Sequence, residues 1–463
     1  MASSIEFHHE TFPIPLYSVL INHKGKRIQE EYVSPYTKNS MHRMFSAVKS
    51  FDALAVCALA SEGYLNLDDT IIQYFPDYLP DNLHSFIADM TIQDLLDMRT
   101  CHSATTYKKD LSKNWTESFF TTAPDHRSGQ VFIYDTSASH TLAALVNRVS
   151  GKGVLEYLRS IYLNDIGFSK DAYILRNSIG EEIGGDGLIA RSEDLMVTAE
   201  FLMALYKGTW KDSYSYLLND QYDEAFYQRY STLVRQCMSW RSPTLHVGKT
   251  LDECQGYGSQ FWIIRNGIMI YGLGGQYAAM YPEEDLIIVT TADTQSIQGG
   301  SQILLDEMNR IDSQLRAEAG RPPLPVTVPD RPATYGDPAC LQTAIRSIAG
   351  TYQFSENSLE LQSCTIDDEA VTFVYQDRTY RFPISLSQPM ETEDPVYHQK
   401  LYIRTSGLPD GALYQHVQIL GEYVGSIRIL MKGDGTHLTL FYRMIEPVSN
   451  VTKGFLEGLR VTE

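Results

Sequence analysis

What this sequence lacks narrows it first. Its six cysteines, Cys57, Cys101, Cys237, Cys254, Cys340 and Cys364, include no CxxC pair. That spacing argues against a zinc site or a disulfide frame and for reduced thiols. Nowhere do about 18 apolar residues run uninterrupted, so no membrane span is expected. The N-terminal MASSIEFHHETFPIP has neither a basic nor an apolar leader region, so no secretory signal is expected, and a cytoplasmic location is. Positive charge is scarce. With 38 Lys and Arg against 57 Asp and Glu, the net charge of -19 argues against nucleic acid or an anionic membrane as the main partner. GxSxG, HExxH and an EF-hand loop are all missing, which disfavours an α/β-hydrolase elbow, a zincin and a calcium loop. Gly248-Lys249-Thr250 looks like the tail of a P-loop, but Pro243 stands where the leading glycine should be. That stretch reads as a turn.

What is present is a well-packed globular chain, with 43% apolar and 21% charged residues. Its 463 residues suit two domains at about 100–200 residues each. YSVLINHKGKRIQEEYV reads as two strands around a Lys24-Gly25 turn. From Ser46 to about Glu62 the chain has no Pro or Gly and is apolar around most of its circumference, which predicts a buried helix ending at Gly63. Helices are also expected at TIQDLLDMRT, SASHTLAALVNRVSG, SEDLMVTAEFLMALYKG (with Ser192 as N-cap) and SQILLDEMNRIDSQLRAEAG. Strands return at SQFWIIRNGIMIYGLGGQYAAMY and DLIIVTTAD. Strands at both ends and helices between suit an α+β fold, one antiparallel sheet flanked by helices. Residues 1–318 are therefore read as one domain, 319–345 as a Pro-rich extended linker, and 346–463 as a small all-β, barrel-like domain.

Ser46 and Lys49 stand at i and i+3, on one face of the expected helix. A serine hydroxyl needs a base to become a nucleophile, and a lysine embedded in an apolar helix loses its proton more readily. The helix N-terminus would favour developing negative charge at Ser46. Taken alone, the same spacing equally fits a capping serine followed by a snorkelling lysine.

The context is an ordered series: HRMFSAVKSF and LASEGYLNLDDTIIQYFPDYLP, MTIQDLLDMRT, GQVFIYDTSASHTLAALVNRVSG, GGDGLIARSEDLMVTAEFLM, GYGSQFW, then IYGLGGQYAAMYPEEDLIIVTT. Over roughly residues 15–315 this series resembles the serine β-lactamase-like hydrolases, which include class C β-lactamases, DD-peptidases and related esterases and amidases. The resemblance implies the β-lactamase/transpeptidase-like sheet, Ser46 as acylated nucleophile, Lys49 as its partner, and Tyr134 as a second acid or base. An adjacent ammonium would lower the Tyr134 phenol. Two positions depart from the pattern. Thr136 stands where β-lactamases commonly have asparagine, and Ile270-Tyr271-Gly272 replaces the motif that carries a cation. The GLGGQ form is similar to the branch with oligoamide hydrolases and esterases.

In that setting the backbone N–H groups of Ser46 and Leu273 would form the oxyanion hole, with Gly272 and Gly274 allowing close approach. Gln276 would bridge the strand and the site. His102 would line the pocket or simply occupy a turn, and His140 reads as structural. Trp262 and Tyr277 would be pocket walls or core. No metal or organic cofactor is implied. The expected substrate is a small ester, amide or short peptide. A true β-lactamase or DD-peptidase, and an inactive binding protein on the same scaffold, are the alternatives. The C-terminal domain could cover the cleft, gate it or make a homo-oligomer.

Overall fold

The computed structural model describes residues 6–7, 11–329, 331–332, 337–385, 388–422, 425–445 and 452–461. Parts of the N-terminal stretch read for a leader, and the middle of the Pro-rich stretch, lie outside the described residues.

The first region contains β1 (Leu16–His23), β2 (Lys26–Tyr32), β3 (His42–Phe45), β4 (Tyr173–Ile174), β5 (Leu188–Ala190), β6 (Gly256–Tyr257), β7 (Trp262–Ile264), β8 (Gly267–Gly272), β9 (Gln276–Tyr281) and β10 (Leu286–Ala292). Seven of them make one antiparallel sheet in the order β2-β1-β10-β9-β8-β7-β6, and β3, β5 and β4 form a small second sheet. Lys24 and Gly25 both take left-handed backbone angles, the geometry a tight hairpin needs to match strand twist. Every residue of β9 and β10 is buried, which requires cover on both faces of the sheet.

The longer helices are α1 (Val48–Glu62), α2 (Thr136–Ser150), α3 (Ser192–Lys207), α4 (Glu224–Cys237), α5 (Gly300–Glu318) and α6 (Pro338–Ile348). In α1 only Ala60 and Glu62 escape burial, and Gly63 ends the helix in a left-handed conformation, as the sequence predicts. α2 and α4 pack directly on α1. α3 begins one residue earlier than expected: Arg191 is the N-cap, and Ser192 instead bonds Ser18 of β1 through its hydroxyl at 2.5 Å.

The second region is a ten-stranded sheet built from β13 (Gly350–Phe354), β14 (Leu361–Ile366), β15 (Ala370–Tyr375), β16 (Thr379–Pro383), β17 (Met390–Glu393), β18 (Lys400–Gly407), β19 (Leu413–Leu420), β20 (Gly425–Gly433), β21 (His437–Ile445) and β22 (Thr452–Arg460), preceded by the short pair β11 (Thr327–Val328) and β12 (Arg331–Pro332). Its edge strands β16 and β17 come into contact, so the sheet curls into a nearly closed barrel.

The extended-linker reading misses α6. Pro338 sits at the helix start, where its missing N–H costs nothing, and Asp337 caps the helix by accepting from the Ala339 N–H at 2.9 Å. Leu341, Ala344, Ile345 and Ile348 face inward and join the barrel core.

The two regions share a third apolar cluster, in which Val131, Ile133, Leu245 and Cys254 meet Leu408, Tyr414, Leu430 and Phe441. Arg99 and Lys432 both reach Asp410, at 3.2 Å and 3.1 Å, and these side chains are largely buried. The outward faces of β19 to β22 are thus interface rather than solvent surface, which is why β21 reads HLTLFYRMI instead of alternating cleanly.

Candidate active site

β3 carries the chain into Ser46. Phe45 turns with a φ of 46°, a left-handed conformation unusual for a phenylalanine, and α1 begins two residues later. Ser46 is half-buried at this junction, and its side chain favours the ionised form of the Tyr134 phenol. The helix therefore starts at Val48 rather than at Ser46 itself.

Lys49, in the first turn of α1, is only 1% exposed. Its ammonium donates to the Gly185 carbonyl and lies 5.3 Å from the centre of the Tyr134 ring. Burial lowers its pKa to about 8, with Asp52, Asp186 and Asp135 opposing that shift and Lys108 adding to it. Burial also pushes the Tyr134 phenol well above its ordinary value, only partly opposed by Ser46. This corrects the expectation that a neighbouring ammonium lowers the phenol: Tyr134 is a neutral donor, and Lys49 is the group poised to lose a proton.

One helical turn beyond Lys49 stands Asp52, which sequence reasoning passed over. It is fully buried, and neither carboxyl oxygen has a hydrogen-bond partner. Burial drives its carboxyl well above the usual range, and Lys49 pulls the other way. Such a group is costly to place in a core, and its position on the helix face of Lys49 ties it to the site.

The GGDG motif explains itself here. A Cβ at Gly185 would lie 2.2 Å from the Thr136 methyl, so only glycine lets this loop pass between α2 and Lys49. Thr136 is the first residue of α2, and its N–H donates to the Thr105 hydroxyl at 3.2 Å. Asp186, the next residue of the loop, pairs with Arg43 of β3 at 3.0 Å across the exposed edge of the site.

The GYGSQFW landmark also has a structural job. The Gln260 carbonyl accepts from the Ser50 hydroxyl and its side-chain oxygen from the Ser139 hydroxyl, both at 2.7 Å, while its amide donates to Leu95 and Leu96. One residue thus locks α1, α2 and the short helix Ile92–Leu96 together.

On the sheet side, a Cβ at Gly272 would sit 2.1 Å from the Met44 carbonyl, so the end of β8 lies hard against β3 just ahead of Ser46. Leu273 is exposed, and Gly274 has a φ of 87°. Gln276 pairs with Gly272 in the ladder and donates to the Ala292 carbonyl at 2.8 Å, bridging β9 to β10 behind the turn. Beside this turn lies a cavity of about 250 Å³ lined by Tyr17, His42, Arg43, Phe45, Leu273 and Gln276 among others.

Trp262 stacks on Tyr134 at 5.7 Å, so it does form a wall of the site, and Tyr271 packs against Trp262 in turn. Tyr277 is fully buried against Tyr271. Ile270 is fully buried in β8, which leaves an apolar residue where the motif cation would stand. His102 is turned into the core, its Nε2 on the Phe119 carbonyl at 2.9 Å. His140 is buried between Tyr107, Trp115 and Glu181, in keeping with a structural reading. The structure thus brings Ser46, Lys49 and Tyr134 together, sets Gly272, Leu273 and Gly274 alongside, and keeps His102 in packing.

Comparison with known proteins agrees with this fold. Protein flp of Staphylococcus aureus (strain N315) is 25% identical over 165 residues, covering 33% of this chain and 32% of that protein. The chain therefore matches about a third of the length of its curated relatives. Among solved structures, SurE aligns over 96% of this chain and 95% of its own, with a TM-score of 0.51 at 13% identity. A Bacillus anthracis protein assigned as a 6-aminohexanoate-dimer hydrolase aligns over 66% of this chain and 81% of its own, with a TM-score of 0.50 at 17% identity. Identities this low speak to the fold alone. The family model described as Beta-lactamase matches residues 13–301, well over half of the chain, and the protein belongs to that serine-hydrolase fold family.

Proposed function

We propose that this protein hydrolyses a small ester, amide or short peptide through an acyl-enzyme on Ser46. The observation that carries the reading is Lys49, a buried lysine with a pKa lowered to about 8, one turn from Ser46 and 5.3 Å from the centre of the Tyr134 ring. The neutral amine of Lys49 takes the Ser46 proton as Oγ attacks the substrate carbonyl. The tetrahedral oxyanion rests on the backbone N–H groups of Ser46 and Leu273. Tyr134 hands a proton to the leaving alcohol or amine and recovers one from the Lys49 ammonium. Water then attacks the ester on Ser46, with the same groups moving its proton, and the acid leaves.

The cavity beside Leu273 would take one arm of the substrate, and its size favours a small group. With Ile270 in place of a cation, and Arg43 already paired to Asp186, free-carboxylate substrates such as penicillins are disfavoured. Six free cysteines fit a reducing, cytoplasmic setting, and no helix among the described residues is long and apolar enough to cross a membrane.

The test is intact mass after incubation with a fluorophosphonate, for wild type, Ser46→Ala and Lys49→Ala. A single adduct that disappears in Ser46→Ala and is strongly reduced in Lys49→Ala is expected. No adduct in the wild type, or one that survives Ser46→Ala, would leave a binding role as the better account. Nitrocefin turnover in the same samples would move the substrate class to β-lactams.

A further inference from the structure

The barrel holds a second, partly open cavity, of about 370 Å³, remote in sequence from the residues that build the hydrolytic site. Its walls are the inward faces of the strands, chiefly Phe373, Phe382, Leu401, Ile429 and Leu440, all otherwise buried in the barrel core. α6 fills the opposite end, where Ile348 approaches Gly433 and the backbone at Cys340 lies against Gly407. Polar groups line the cavity mainly toward the other end, where β15, β16, β17 and β18 carry Tyr375, Arg378, Tyr380, Asp394 and Gln399 at or near their termini. Small closed barrels use such interiors to hold one ligand, and the volume is within the range of about 300–1,000 Å³ common to small-molecule sites.

The polar end carries one charge of each sign, Arg378 and Asp394, and they differ in the hydrogen-bonding capacity they have left. Asp394 is already satisfied: one carboxyl oxygen accepts from the Val396 and Tyr397 amides, at 2.7 Å and 2.9 Å, and the other from the Tyr380 hydroxyl at 3.5 Å. Arg378 spends one nitrogen on Asp377 at 2.9 Å and stacks over Tyr375 at 4.8 Å. A guanidinium has five donors in a fork suited to a carboxylate, so Arg378 keeps capacity that Asp394 lacks.

We propose that the barrel binds a medium-chain monocarboxylate, its hydrocarbon tail running toward α6 and its carboxylate on Arg378. At about 30 Å³ for each water-sized group, the cavity holds roughly twelve heavy atoms, the size of a ten-carbon acid. This site is separate from the hydrolytic one and does not depend on that reading.

Isothermal titration calorimetry of the full chain with decanoate tests it, with decanol and decyltrimethylammonium as head-group controls. Decanoate is expected to bind at one site per chain, about tenfold tighter than either control. Ile427→Trp, which fills the half-buried wall of β20, should weaken decanoate about tenfold with ester hydrolysis unchanged. Arg378→Gln should remove the preference for decanoate over decanol. Leu359→Trp, at the rim, replaces Ile427→Trp should circular dichroism show that variant unfolded. Absence of decanoate binding up to about 1 mM, binding unaltered in a folded cavity-filling variant, or equal affinity for decanol would overturn the proposal.

Discussion

The two regions of this protein treat their interiors in opposite ways. The first buries charge: Lys49 and Asp52 stand inside the core on one face of α1, Asp52 without a single hydrogen bond. The second confines its lining charges, Arg378 and Asp394, to one end and leaves space instead, a cavity walled mostly by aliphatic and aromatic side chains. A buried ionisable group is tolerated where it does chemistry, because desolvation is what tunes it. Unfilled apolar volume is tolerated where something else completes the packing. The contrast is the one expected of the proposed reaction in one region and the proposed binding function in the other.

The largest effect should come from removing the tuned charge. Lys49→Ala is expected to reduce kcat/KM for a good ester substrate by about 10⁴-fold or more, since catalytic groups that act as a unit fail together. A loss under about tenfold, measured by steady-state kinetics, would detach Lys49 from the chemistry.

Next is the seam between the regions. Phe441 is fully buried on the outward face of β21, and Phe441→Ala should cost about 3–5 kcal/mol in denaturant unfolding. A loss below about 1 kcal/mol would mean that the regions are coupled less tightly than the shared apolar cluster implies.

A smaller change should follow Asp52→Asn. Asp52 opposes the lowering of the Lys49 pKa, so its loss should move the acidic limb of the pH–rate profile to lower pH, by about one unit or less. An unmoved limb in a folded variant would make Asp52 a packing residue.

The smallest effect concerns Glu457, whose carboxyl accepts from the Arg127 N–H at 3.1 Å across the seam and is pushed up by burial to about 7. Between about pH 4.5 and pH 7 the folded protein holds the extra proton. Glu457 therefore contributes stability that is fully present below the unfolded value and is lost as pH rises through 7. Glu457→Gln should flatten the decline of Tm across that window. An unchanged slope would assign the decline to other groups.

Much of the first region was legible in the sequence because its signals are local. The uninterrupted apolar run from Val48, the Gly63 stop and the Lys24-Gly25 turn each depend on a few neighbouring residues. Ser46, Lys49 and Tyr134 could be singled out from an ordered series of motifs. α4 was missed because its buried face is made largely of Phe226, Tyr227 and Tyr230, aromatics that read equally well as strand. α6 was missed because Pro338 was read as part of a Pro-rich extended linker when it is a first-turn residue. Asp52 was not legible at all, since no local pattern tells a buried aspartate from one at a surface. The role of Gly185 could be suspected from GGDG, but its partner Lys49 is 136 residues away. The interface on β21 left one trace, the failure of HLTLFYRMI to alternate.

The most direct test of the central claim, that desolvated Lys49 activates Ser46, is the pH dependence of fluorophosphonate labelling of Ser46. The rate should rise with pH through an apparent pKa near 8 in the wild type, and that limb should vanish in Lys49→Ala. A rate independent of pH between about 6 and 10, or the same limb persisting without Lys49, would contradict it.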